Sequence, residues 1–382
     1  MNHPINIVHI IPNLRKGGAE RLVIDIVSKL SKKDNVNIRL VLLENKIEFD
    51  VVNIKQFIHI VQSSIKLSFT KKNKFEIDTL QSFINDFRPN IIHTHLFEAE
   101  IISRSCYYPH ARWYSHCHNN MVQFRNFDIK TLFNKKYLTN YYEKKYLFKS
   151  YQKNGGTHFI AISEDTNYYF EKNAKPYTVK LLQNAINYKR FYKNETSEKS
   201  DPTLKLINVG SFQDKKNQVF LLEVARILQT KYCLFEMHFL GDGANRNKLE
   251  QKIKEYQLGK FIFLHGNIEN VEKFLWQSDI YIHSAANESF GLALLEAMAA
   301  GLPVITLDGK GNRDLIEQGK NGYMLFEEDA EKFADLIIEL WNDKNKYQEI
   351  SAYAQQFSKQ FEMKNYCIKL LETYTSSHNS SI

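Results

Sequence analysis

Short apolar runs recur along this 382-residue chain, separated by amphipathic stretches, and that rhythm constrains the fold more than any other feature. Residues 5–11, 38–43, 91–93, 113–115 and 159–162 read as strands, each followed by a helix-like segment. After Gly18, the residues Leu22, Val23, Ile26, Val27 and Leu30 share one face, with Arg21, Asp25 and Lys29 opposite. Strand and helix in alternation predict a parallel sheet with helices packed on its faces. A polar stretch at 188–202 interrupts the series and reads as a linker. A second series follows, with strands at 204–209, 235–240, 261–264, 280–283 and 303–306, and helices starting near Lys216, Ala244, Val271 and Gly291.

The chain is also too long for one hydrophobic core, so two domains are expected. The reading is α/β: residues 1–190 form an acceptor-side Rossmann-like domain and 191–360 a donor domain. Residues 361–382 form a helix packing back on the first domain. Ligands of such sheets sit beyond the carboxyl ends of the strands, so two facing domains would place a site in the cleft between them.

Charge divides unevenly. Residues 1–200 hold 31 Lys+Arg against 18 Asp+Glu, a net +13, whereas 201–382 hold 20 against 25, a net −5. The first half is therefore expected to face something anionic. Seven lysines among aromatic residues at 130–153 fit either an anionic membrane surface or a solvated helix whose aromatics pack inward. Nucleic acid is not expected as a partner, because no nucleic-acid-binding fold accompanies these residues. Four scattered cysteines form no C-x-x-C pair, and no apolar run approaches 18 residues, so a cytoplasmic chain that does not span the membrane is expected, with peripheral contact at its inner face as one option.

The segment His283 to Ile305, HSAANESFGLALLEAMAAGLPVI, carries the most chemistry. An acid, a small polar residue and a glycine stand between a buried strand and a helix. The backbone N–H groups of Ser289, Phe290, Gly291 and Leu292 would lie at that helix's first turn, where they and the helix dipole attract phosphate. Glu288 lies at the mouth and Glu296 one to two turns inside. A carboxylate accepts two hydrogen bonds, which suits the vicinal hydroxyls of a sugar or ribose. A plain helix cap explains either acid alone. Lys216, heading the second series' first helix, offers a point charge to phosphate.

These residues resemble the retaining glycosyltransferases of family 4, whose E-x7-E signature matches Glu288 and Glu296. Further marks follow the family order over nearly the whole chain: GGAE at 17–20, FIAISE at 159–164, LLQNAIN at 181–187, VGSFQDKKNQ at 209–218, FLGDG at 239–243 and GLPVI at 301–305. The resemblance implies the GT-B fold, two Rossmann-like domains facing across a cleft. It implies that Glu288 contacts the transferred sugar, Glu296 the ribose, and the backbone between them the diphosphate. The implied donor set is Gly17, Gly18, Ser211, Lys216, Gly266, Asn267, Ser289, Phe290, Gly291, Leu292 and Glu296. Ser211 replaces the family's usual arginine, which removes one cation from the phosphate site but leaves a hydroxyl donor.

In the first half, Gly17 and Gly18 permit close backbone approach to a ligand. His93 and His95, and His116 and His118, are spaced to share a strand face. Two histidines can chelate, yet no carboxylate or cysteine set completes a metal site in the sequence. The resemblance assigns one of the pair His116 and His118 to the transferred sugar, with His118 as the match. It also implies no bound metal and no cofactor beyond the nucleotide-sugar co-substrate, with a lipid-linked or glycan acceptor. Three functions stay open: a retaining transferase of sugars from a UDP-sugar, an epimerase or phosphorylase of the same architecture, and a non-catalytic sugar-nucleotide-binding partner of another transferase.

Overall fold

The computed structural model describes residues 4–68, 71–125, 134–193, 202–231 and 233–376. The chain divides into two compact units, residues 1–184 with 363–382, and residues 185–362. The expected boundary at 190/191 moves to 184/185 because residues 185–191 are tied to the second unit. The N–H of Ile186 donates to the Phe361 carbonyl at 2.9 Å, and the Tyr188 hydroxyl to the Gln355 carbonyl at 3.3 Å. Most of the expected linker, residues 194–201, lies outside the described residues.

The first unit is built on seven strands: β1 (Ile5–Ile11), β2 (Val36–Leu42), β3 (Ile58–Ile60), β6 (Ile91–His95), β7 (Arg112–Cys117), β8 (His158–Ala161) and β9 (Thr178–Leu181). Between β3 and β6 a short antiparallel pair, β4 (Ser64–Lys66) and β5 (Lys74–Glu76), stands apart. The seven run parallel in the order β3-β2-β1-β6-β7-β8-β9. Helices α1 (Gly18–Leu30), α2 (Asp78–Phe87), α3 (Phe97–Ser103), α4 (Lys135–Lys153) and α5 (Glu164–Asn173) make the crossovers. The apolar stripe of α1 is buried as its spacing predicts, Leu22, Val23, Ile26, Val27 and Leu30 each being at most 1% exposed.

The second unit opens with α6 (Tyr188–Phe191). Its strands are β10 (Leu204–Val209), β11 (Phe235–Leu240), β12 (Ile262–Gly266), β13 (Ile280–His283), β14 (Val304–Leu307) and β15 (Gly322–Leu325). All six are parallel, in the order β12-β11-β10-β13-β14-β15. Helices α7 (Gln218–Thr230), α8 (Arg246–Glu255), α9 (Val271–Gln277), α10 (Leu292–Ala299), α11 (Ala330–Asn342) and α12 (Lys344–Ser358) accompany them. The strand order reverses between β10 and β13, so the segments leaving those two strands diverge at the switch point where such sheets bind ligands. They carry Ser211 and Lys216 on one side, and Glu288 to Leu292 on the other.

The last helix, α13 (Met363–Ser376), belongs to the first unit and packs on α1, burying Tyr366, Leu370 and Tyr374. Residues 377–382 lie outside the described residues.

Of the two expectations for the stretch 130–153, the structure supplies the inward-packing one for several aromatics. Tyr151 is buried, Phe148 packs on Phe124 and Tyr151, and the Tyr146 hydroxyl bonds that of Ser105 at 2.7 Å. Their rings complete the apolar layer under β7 and β8, which leaves Lys135, Lys136, Lys145, Lys149 and Lys153 as the exposed face of α4. Residues 130–133 of that stretch lie outside the described residues.

Candidate active site

At the end of β13 the backbone is held by two flanking loops. The Ala286 N–H donates to the Lys215 carbonyl at 3.1 Å, and the Ser284 hydroxyl to the Lys216 carbonyl at 2.9 Å. From the other side the Glu288 N–H donates to the Gly309 carbonyl at 2.8 Å, and the Gly311 N–H to the Glu288 carbonyl at 3.0 Å. Glu288 is thus fixed at both its backbone groups. Asn312, fully buried, organises the second clamp: its side chain accepts from the Gly309 N–H at 2.9 Å and donates to Thr306 and the Leu307 carbonyl at 3.0 Å.

This clamp sets the Glu288 carboxylate against Lys216, with Nζ to Oε2 at 2.5 Å. The His283 Nε2 lies 3.3 Å from the same oxygen, a contact without the alignment of a hydrogen bond. Burial works to raise the Glu288 carboxyl, but the Lys216 ammonium and the His283 ring override it and hold the group well below the usual carboxylate range. His283 is lowered mainly by its own burial, against which Glu288 works. An ionised acid and a paired cation therefore stand together at the mouth of α10.

Two sequence expectations need correction here. Lys216 does not head the following helix; it closes a single 3-10 turn, Asp214–Lys216, and Asn217 in the left-handed region (φ +49°) separates it from α7. That offset turns Lys216 toward Glu288, so its charge is not offered to phosphate alone. The Ser289 N–H is also not free, because it donates to the Glu288 carboxylate at 3.1 Å. Among the described residues the N–H groups of Phe290, Gly291 and Leu292 have no acceptor. Gly291 adopts φ +102°, a conformation costly for any residue with a Cβ, and it turns the chain sharply into α10. Phe290 is 1% exposed and packs edge-on to Phe361, so only its backbone can serve a ligand.

Glu296 is the fifth residue of α10 and half-buried. Ser211 is likewise half-buried after β10, and its carbonyl accepts from the Gln218 side chain at 3.1 Å. Gly266 and Asn267 end β12, two strands from β10, and no hydrogen bond among the described residues ties them to Glu288. Gly266 instead accepts at its carbonyl from the Gly241 N–H at 2.8 Å.

The first unit holds the remaining sites. Gly18 begins α1, but the space above Gly17 is occupied: a Cβ there would stand 2.3 Å from the Glu20 carboxylate. That carboxylate is the far end of a flexible side chain, which can swing aside. His118 follows β7 and is 8% exposed, whereas His116 is 1% exposed. The sequence missed the company these two keep. His9, on β1, joins His93, His95, His116 and His118 in one cluster, and two groups of three, His9 with His93 and His95, and His95 with His116 and His118, lie within chelating reach. The third ligand that the H-x-H pairs lacked in sequence comes from strand register, His9 standing opposite His93. His283 was also missed; its only signal was a polar residue ending an apolar strand.

Two parallel α/β units, the second carrying a helix-mouth acid at its switch point, define the GT-B fold class, which solved structures share over the whole chain. Residues 189–357, within the second unit but for its ends, match the family model described as "Glycosyl transferases group 1". Among curated relatives, the chain is 28% identical over 164 residues to poly(ribitol-phosphate) alpha-N-acetylglucosaminyltransferase of Staphylococcus aureus (strain COL), covering 42% of this chain and 33% of that protein. It is 26% identical over 163 residues to poly(glycerol-phosphate) alpha-glucosyltransferase of Bacillus subtilis (strain 168), covering 42% and 24%. The matches thus span a third or less of those relatives' lengths. The structure of Anabaena Alr3699/HepE in complex with UDP superposes with a TM-score of 0.77 at 18% identity, over 97% of this chain and 100% of that one. At that identity the likeness speaks for fold alone.

Proposed function

We propose that this protein is a retaining glycosyltransferase that moves a sugar from a nucleoside-diphosphate donor, a UDP-sugar, to a lipid-linked or glycan acceptor. The observation that carries the reading is the ionised Glu288 clamped against Lys216 at the mouth of α10, beside three unpartnered backbone amides. Amides and helix dipole suit a diphosphate. Lys216 has three N–H donors and directs one to Glu288, which leaves two for phosphate oxygens. Glu288 and its Oε1 then suit the sugar's hydroxyls, and Glu296 the ribose. His118 of the first unit is assigned the transferred sugar as well. The names of the relatives, transferases onto poly(ribitol-phosphate) and poly(glycerol-phosphate), support a polymeric acceptor.

In this account the leaving diphosphate, steadied by Lys216 and the α10 amides, absorbs the charge that develops as the acceptor attacks from the same face. No protein nucleophile and no metal is then required. Product analysis by anomer-sensitive NMR, with a donor panel and glycan or lipid-linked acceptors, tests the reading. A transferred sugar keeping its anomeric configuration supports it; donor cleavage or epimerisation without transfer, or binding with no turnover over the panel, contradicts it.

A further inference from the structure

Five histidine rings of the first unit form one hydrogen-bonded network under α13. Register creates it, since His9 stands opposite His93, and His95 opposite His116. Tyr374 of α13 joins them, its hydroxyl 2.5 Å from His93 Nδ1 and 3.4 Å from His9 Nε2. Two branches leave that hydroxyl. One runs from His9 Nδ1 to His95 Nε2 at 2.8 Å, then from His95 Nδ1 to His118 Nε2 at 3.0 Å. The other runs from His93 Nε2 to His116 Nδ1 at 3.1 Å.

Burial lowers the basicity of all five rings, so they are neutral. A neutral imidazole donates through one nitrogen and accepts through the other, so in a chain of such rings the direction of one bond dictates the next. The Tyr374 hydroxyl has one proton for two neighbours. Given to the nearer, His93, it makes His93 donate through Nε2 to His116, whose own Nε2 then carries a proton beside Asn184. The Tyr374 oxygen must then accept from His9 Nε2–H, His9 from His95, and His95 from His118 Nε2–H. That leaves His118 Nδ1 bare. The two branch ends always hold opposite states.

His118 is the one ring of the five that reaches the surface, 8% exposed against 0–1% for the others. Chelation competes poorly with this pattern: each contact already commits a lone pair, and His116 and His118 lie stacked at 4.3 Å and 9°, with parallel lone pairs where a tetrahedral ion needs convergent ones.

We propose that Tyr374 is a positioning residue for His118, fixing its Nδ1, through the imidazole relay, as an unprotonated acceptor for a hydroxyl of the bound sugar. The sugar contact rests on the transferase reading; the relay rests on geometry alone.

Histidine-selective 15N labelling of the full chain, read by long-range 1H–15N correlation, reports which nitrogen of each ring is protonated. His118 is expected to be protonated at Nε2 and bare at Nδ1, and Tyr374→Phe to mix its two tautomers. A proton on Nδ1 in the wild type, or a tautomer unmoved by Tyr374→Phe, overturns the relay, and the wild-type spectrum decides even if the variant does not fold. With donor and acceptor in hand, Tyr374→Phe should lower kcat on the order of tenfold, one neutral hydrogen bond, and add nothing in a His118→Ala background. An equal loss in both backgrounds overturns the positioning role. The spectra need no turnover, so failure of the transferase reading stays distinguishable.

Discussion

Glu288 holds two tasks in the proposed mechanism, since one carboxylate both pairs with Lys216 and meets the sugar. Glu288→Gln keeps the shape and removes the charge. Turnover should fall by at least ~10²-fold, as for other groups that stabilise developing charge, with stability down by only about 2 kcal/mol, the worth of a charged hydrogen bond. Steady-state kinetics with thermal denaturation checks both, and unchanged turnover contradicts the role. The helix mouth from Glu288 to Leu292 was legible in the sequence because it is a local feature, made by residues close in the chain. That Lys216 binds Glu288 was not, since the two are 72 residues apart and meet only because β10 and β13 are neighbours. His9 escaped notice for the same reason.

Among the elements, the central strands lie where their apolar runs put them: β1, β10 and β11 are six or seven residues long and largely buried, and the four-residue β13 is buried throughout. The strands that sequence periodicity passes over, β3, β9 and β15, are three or four residues long and stand at sheet edges, where one face remains partly open and the apolar signal halves. The clamp on Glu288 likewise depends on a loop after β14 that carries no motif. Asn312→Ala should strand the Gly309 N–H, which donates to the Asn312 side chain, costing about 1–3 kcal/mol. It should also loosen Glu288, so donor affinity should fall alongside stability in denaturation and calorimetric titration. A stability loss with donor affinity intact would separate the clamp from the site.

Over the whole molecule, the first unit's buried histidines predict acid sensitivity. Their folded pKa values are depressed by burial, to about 3 for His9 and His118, against 6.5 unfolded. The unfolded chain therefore binds more protons between these values, so stability is complete above pH 6.5 and is lost as pH falls toward 3. Each such ring costs about 1.4 kcal/mol per pH unit in that window. His9 and His118 together cost roughly 3 kcal/mol per unit, and His93, His95 and His116 shift in the same direction, a large share of a domain stability of about 5–15 kcal/mol. Thermal unfolding at pH 7.5 and 5.5 checks this, and an unchanged midpoint contradicts it. The charge imbalance and two-domain plan were visible in composition and rhythm alone, while this network needed the parallel register of β1, β6 and β7.

In the proposed reading the mouth of α10, with Lys216 and Glu288, grips a nucleoside diphosphate. Calorimetric titration of UDP into the full chain, wild type against Lys216→Gln, measures it most directly. Saturable binding that weakens at least tenfold in the variant is expected; no binding of UDP, or equal affinity in both proteins, would contradict a diphosphate grip at this helix mouth.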